Sequence, residues 1–154
     1  MRASQSVTVD RPVQEVFDFL ARGTNNPLWR PAISLVTRVY ATGPDTGPGV
    51  GTTYLQRIVD VSGRTVEETY QLTRFERPLR LDFEVTRGST RELGRYTLAA
   101  IGPETTHVEF TLRRLRRGVA ARLRRHGGDA VHDHVSSIAA LPAAMRDGEH
   151  LTHE

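Results

Sequence analysis

The sequence predicts an α+β domain in which short strands of one antiparallel sheet supply a concave partner for a long C-terminal helix. Three observations carry that expectation. From Ile33 to Arg114 apolar residues recur with a period of two, interrupted by turn residues, which is the pattern of half-buried strands. Over Arg116–Asp147 the period changes, and Val119, Leu123, Val131, Val135, Ile138 and Met145 fall mostly three, four or seven apart, on one stripe of a helix. A stripe that narrow, with arginine over much of the remaining surface, needs a concave partner, and the strands supply one.

In chain order, Val7-Thr8-Val9 alternates and reads as a first strand. Pro12 suits the first turn of a helix, Glu15 sits near the positive end of its dipole, and Val13, Val16, Phe17 and Leu20 draw its buried face before Gly23 stops it. Asn25–Pro31 is a turn-rich bridge with a short helical turn around Leu28. It carries the single tryptophan, Trp29, whose size suits it to plug one end of the core, with ligand contact as the alternative. Strands follow over Ile33–Tyr40, Thr53–Val61, Arg64–Arg74, Leu79–Arg87, Thr90–Ala100 and Thr105–Arg114. Ser62-Gly63 and Gly88-Ser89 read as two-residue hairpin turns, and Gly43–Gly51 as a connection. The order is therefore β-α-α-β6-α. Gly127-Gly128 and Pro142 mark places where the last helix would break or kink.

Size and composition narrow the function. A chain of 154 residues is one ordinary domain, expected over 1–148 with a frayed tail at 149–154. Cysteine is absent, which removes disulfides and thiolate chemistry and fits a reducing cytoplasm. No basic start followed by an apolar run marks a secretory leader, and no run is long enough to span a bilayer. All 21 basic residues are arginine, so no Schiff base or P-loop lysine is available. The net charge of +3 is too small to argue for nucleic acid.

The segment Val7-Thr8-Val9-Asp10-Arg11-Pro12-Val13-Gln14-Glu15-Val16-Phe17-Asp18-Phe19-Leu20, then Asn26-Pro27-Leu28-Trp29, resembles the opening of the START-like (SRPBCC) superfamily. That superfamily includes polyketide cyclases/dehydratases, lipid-transfer domains and pollen-allergen-like proteins. Gly49–Tyr54 and Leu72–Pro78 are similar to its bacterial branch as well. The resemblance implies the helix-grip fold, a curved seven-stranded antiparallel sheet wrapped around the C-terminal helix, with a cavity between the two that takes a hydrophobic small molecule.

Strand phase assigns the inner face. Leu79, Leu81, Phe83 and Val85 carry Arg87 with them, and Val66, Tyr70 and Leu72 carry Glu68. A two-residue turn at Ser62-Gly63 sets Arg57 opposite Glu68, and Gly88-Ser89 sets Val85 opposite Glu92, which shares its phase with Tyr96. The expected lining is Leu55, Tyr70, Leu72, Phe83, Arg87, Phe110, His134 and Ile138. The expected reactive groups are Glu68, Arg57, Glu92 and Tyr96. A partly exposed Arg57–Glu68 salt bridge is the competing explanation, and a slip of one residue would turn the band to solvent. His134 lies on the edge of the inner stripe, as a core-edge histidine or a base.

No metal or organic cofactor is expected: His132 and His134, two apart, face different ways on a helix, and no phosphate loop or nucleophile elbow is present. The run Arg113, Arg114, Arg116, Arg117, Arg122, Arg124 and Arg125 is either a solvated face or a docking patch for an acidic carrier protein or anionic surface.

Two functions fit. Polyketide cyclases of this superfamily fold a poly-β-keto chain and promote aldol closure or dehydration, for which Arg57 or Arg87 would stabilise an oxyanion, Tyr70 or Tyr96 donate, and Glu68 or Glu92 take the proton. A carrier would hold a lipid or aromatic metabolite unchanged. Inward carboxylates are costly for a carrier and favour the first.

Overall fold

A computed structural model describes residues 2–39, 47–60, 62–116 and 134–148. The elements are β1 (Arg2–Val9), α1 (Val13–Ala21), a 3-10 segment (Gly23–Leu28), β2 (Ile33–Val39), β3 (Thr53–Val59), β4 (Thr65–Glu76), β5 (Arg80–Arg87), β6 (Thr90–Gly102) and β7 (Thr105–Arg116). After these come a 3-10 segment, Ser137–Ala140, and α2 (Leu141–Gly148). Gly127-Gly128 and the stretch expected to begin the C-terminal helix lie outside the described residues. Pro142 falls in the first turn of α2, where its missing N–H breaks no helical hydrogen bond, and the change from 3-10 to α geometry comes immediately before it.

All strand pairs are antiparallel, in the order β1-β7-β6-β5-β4-β3-β2. β1 and β2 are therefore opposite edges of one open sheet, and α1 with its 3-10 extension crosses between them. α1 begins at Pro12, whose carbonyl accepts the Val16 N–H, and buries Val13, Val16, Phe17 and Leu20. The side chains of α1, Trp29, Val135, Ile138, α2 and one face of the sheet share a single core. Irregular registers at Ile33/Leu35, Leu72/Arg74 and Ala100/Gly102 bend β2, β4 and the β6–β7 pair.

The β3–β4 hairpin departs from the expected register by one residue. Its connection has five residues, 60–64, and Val59 pairs with Thr65. The cause is Asp60, whose Oδ1 accepts hydrogen bonds from Ser62 N–H (2.9 Å), Ser62 Oγ–H (2.6 Å) and Arg64 N–H (2.9 Å). The Ser62 hydroxyl above all, with the Arg64 N–H, holds this carboxyl below its ordinary pKa. Gly63 completes the turn at φ +83°, a left-handed conformation that glycine adopts without strain. Arg57 consequently pairs with Glu67, and Gln56 faces Glu68. Leu55 and Arg57 stand on the outer face; Tyr54, Gln56 and Ile58 take the inner one. Leu79 also differs from expectation: β5 starts one residue later, and Leu79 is exposed.

Six aromatic rings run across the inner face. Tyr54 meets Tyr70 edge-on, Tyr70 stacks on Phe83 with ring centroids 4.5 Å apart, and Phe83 leans on Tyr96. Tyr96 stacks on Phe110 at 4.7 Å, and Trp29 meets both edge-on. Such pairs add about 0.5–1.5 kcal/mol each beyond their burial. Gly94 makes the row continuous. It opposes Phe83, and a Cβ at this position would lie 2.0 Å from Phe83 Cζ. The ring occupies the space that any other residue on β6 would fill.

Gly94→Ala is therefore expected to destabilise the fold by about 1–3 kcal/mol, because ring and strand must separate. Urea denaturation of Gly94→Ala in the wild-type and Phe83→Leu backgrounds checks this: the loss should shrink when the ring is replaced.

Candidate ligand-binding site

The inner face carries polar groups among these rings. Tyr54 and Gln56 on β3, Glu68 and Tyr70 on β4, Glu92 and Tyr96 on β6 and Arg114 on β7 are all buried. A chain of hydrogen bonds runs from the Asn26 amide to Gln56 Oε1 (3.0 Å) and from Gln56 Nε2 to Glu68 Oε1 (2.9 Å). The other oxygen of Glu68 lies 3.5 Å from Arg87 Nη1. Nearer β7, Arg114 Nη2 donates to Glu92 Oε1 at 2.8 Å. The two carboxylates are thus each satisfied from their own neighbours, as buried charge requires.

Arg30 is the third guanidinium. The 3-10 segment turns the chain at Asn26, whose carbonyl accepts both Trp29 N–H and Arg30 N–H, and this carries Arg30 inward. Arg30 is 4% exposed and lies over the rings of Trp29 and Phe110, at 5.7 and 5.6 Å from their centroids. Its Nε and Nη1 are buried without a hydrogen-bond partner, and it forms no ion pair among the described residues. The Tyr70 and Tyr96 hydroxyls and Trp29 Nε1 are likewise buried and unpartnered. Asn26 and Arg30 approach the two hydroxyls without closing a hydrogen bond of good geometry.

These surroundings drive the acid groups apart. Burial pushes the Glu68 pKa up, against the opposing charges of Arg30 and Arg87. Burial would also raise Glu92, but the charge and hydrogen bond of Arg114 more than offset it and hold this carboxyl below its ordinary range. Burial raises both tyrosines, Tyr70 strongly. His134, at the edge of the site, is lowered from 6.5 to about 4 by burial and by the charge of Arg30, against the pull of Glu92. It is neutral at physiological pH.

Residues 1–138 match the model of the family described as polyketide cyclase/dehydrase and lipid transport. The chain belongs to this family. No curated protein matches it. Among solved structures, the family member is similar to a Thermus thermophilus protein (TM-score 0.72, 15% identity, all of both chains covered). A START superfamily protein of Mycobacterium smegmatis gives a TM-score of 0.68 at 10% identity, covering 94% of this chain and 98% of that one. The Zhui aromatase/cyclase of a Streptomyces species gives 0.67 at 16% identity, covering 97% and 93%. At these identities the likeness establishes the fold.

Of the residues expected from sequence, Glu68, Tyr70, Leu72, Phe83, Glu92, Tyr96, Phe110 and Ile138 are buried on the inner side of the sheet, with Arg87 and His134 at its margin. Leu55 is 45% exposed on the outer face, and the Arg57 side chain is 48% exposed, 3.5 Å from Glu67. Both are excluded from the site by the Asp60 turn. Arg113 is exposed, but Arg114, read as part of the same basic run, points inward with Phe110 and Leu112. Of that run Arg117, Arg122, Arg124 and Arg125 lie outside the described residues, as does the side chain of Arg116. Sequence reasoning missed Arg30, Gln56, Asn26 and Arg114. For Arg114 the signal was present, since it continues the inward alternation of Val108, Phe110 and Leu112. Among the described residues no group of His, Asp or Glu is placed to hold a metal, and no helix is long and apolar enough to cross a membrane.

The depressed His134 gives a pH test. The unfolded chain binds a proton below 6.5 that the folded chain refuses until about 4, so stability is lost as pH falls through that window. Glu68, with a raised folded pKa, contributes in the opposite direction, favouring the fold as pH falls toward its unfolded value of 4.5. Urea midpoints at about pH 7 and about pH 5 should show His134→Gln losing less on acidification than wild type, and Glu68→Gln losing more.

Proposed function

We propose that the protein takes up a hydrophobic, planar small molecule between the sheet and the C-terminal helix and acts on it as a cofactor-independent cyclase or dehydratase. The observation that supports this is a pair of carboxylates on one aromatic-lined face whose surroundings push their proton affinities in opposite directions. That arrangement makes Glu68 the carboxylate that exchanges a proton and leaves Glu92 as a fixed charge. A carrier of apolar molecules gains nothing from two buried carboxylates.

In an aldol closure, a carboxylate base removes a proton from a methylene flanked by carbonyls, the enolate carbon attacks a second carbonyl, and the protonated carboxyl returns its proton to the resulting alkoxide. The same carboxylate then takes the remaining α-proton and delivers it to the hydroxyl, which leaves as water while the C=C bond forms. Glu68, with its raised pKa, is the stronger base of the two and takes the first proton. The Arg30 and Arg87 guanidiniums face the enolate oxygen, a role that Arg57, on the outer surface, does not fill. Tyr70 and Tyr96 bring hydroxyls to the carbonyls. Glu92, held ionised by Arg114, fixes the cation beside it. The flat rings of Phe83, Tyr96 and Phe110 favour a compact, planar conformation of the chain. Docking of an acidic carrier protein belongs to this proposal on the sequence of the basic run alone.

A synthetic linear poly-β-ketone, with appearance of the aromatic product followed by absorbance, tests the reading. Glu68→Gln should slow cyclisation at least about tenfold, about 1.4 kcal/mol of transition-state stabilisation, while Glu67→Gln, on the outer face of the same strand, leaves the rate unchanged. Binding without acceleration over buffer makes the protein a carrier of hydrophobic metabolites instead.

A further inference from the structure

The inner-face cluster does not balance its own charge. Among the described residues it holds three guanidiniums, Arg30, Arg87 and Arg114, against two carboxylates: Glu68 lies within ion-pair distance of Arg87 and also feels the charge of Arg30, and Glu92 pairs with Arg114. His134 is neutral. Arg30 remains, a cation buried to 4% exposure with two N–H groups unsatisfied. Isolated buried charge is among the most expensive arrangements a fold holds. Water bound in the site would satisfy the hydrogen bonds but would not neutralise the guanidinium. The unpartnered atoms around Arg30 point the same way: Trp29 Nε1 only donates, and the hydroxyls of Tyr70 and Tyr96 have donors to spare. Among the described residues no carboxylate stands within ion-pair distance of Arg30, and the groups beside it call for an acceptor that carries negative charge.

We infer that the ligand is a planar hydrophobic acid, whose anionic oxygen, a carboxylate or the phenolate or enolate of a polyketide-like ring, seats on the Arg30 guanidinium against Trp29 and Phe110. This rests on the proposed binding of a hydrophobic molecule at the same face and adds its charge. Arg30 supplies parallel donors in a fixed plane, suited to two oxygens of a carboxylate. The rings beneath it place a flat apolar body beside that anion. Arg30 is then the residue that selects acids over neutral analogues, because a neutral ligand leaves the cation uncompensated.

Trp29 is the single tryptophan and adjoins Arg30, so its emission reports on the site. Titration with 2-naphthoate and with its uncharged counterpart 2-naphthamide separates charge from shape. Wild type should bind the carboxylate at least about tenfold tighter than the amide. Arg30→Gln should abolish the preference while retaining the amide affinity, and Arg30→Lys should restore part of it. The wild-type comparison stands on its own should Arg30→Gln fold poorly. Equal affinity for the two probes overturns the charge assignment and leaves the hydrophobic site in place. A preference that survives in Arg30→Gln overturns the role of Arg30. Absence of any response to either probe overturns the binding site itself, and this inference with it.

Discussion

A carboxylate can be held inside this fold only where a guanidinium stands within reach of it, and much of the inner face is arranged around that requirement. Glu68 and Glu92 sit on strands that are not neighbours, and each draws its cation from a different neighbouring strand: Arg87 from β5 and Arg114 from β7. The outer face follows another rule. Arg91–Glu84, Arg95–Asp82 and Arg57–Glu67 are open to water, where such pairs contribute about 0–1 kcal/mol and are screened by salt. The same residue types therefore stand in water on one side of the sheet and buried among aromatic rings on the other, and strand alternation separates them.

The aromatic row sets the medium in which those inner charges act. Phe83, Tyr96 and Phe110 are buried beside the carboxylates and exclude water from them, which raises both the cost of an unmatched charge and the strength of a matched one. Gly94 is the concession the backbone makes to that row. Gly23 makes a similar one at the other end, where a Cβ would lie 2.7 Å from the Tyr54 ring. Two glycines with no special backbone conformation are thus explained by rings that cross them.

Much of this was legible in the sequence. The element order, the phase of β4, β5 and β6, and the inward turn of Glu68 and Glu92 follow from alternation over runs of eight residues or more, where one misplaced residue cannot invert the pattern. Arg57 and Leu55 failed because their assignment hung on a turn rather than on a run. Ser62-Gly63 has the composition of a two-residue loop, but the Asp60 carboxylate captures three donors and enlarges it. Arg30 was missed for another reason. It belongs to a segment with no period, and its burial follows from the crossing of the 3-10 segment over the sheet, a long-range property that no local pattern records.

The Asp60 turn also makes β3 a two-sided instrument. Tyr54, Gln56 and Ile58 face the site while Leu55, Arg57 and Val59 face water, and the length of a surface loop acts with the burial of Tyr54 and Ile58 to set which triplet does which. Shortening that loop by a single residue would present the other triplet, exchanging an amide for a guanidinium opposite Glu68 with no point substitution in the site. Related chains can thus diverge in what they recognise through insertions and deletions at a tip remote from the bound molecule, where such changes are cheapest for the fold.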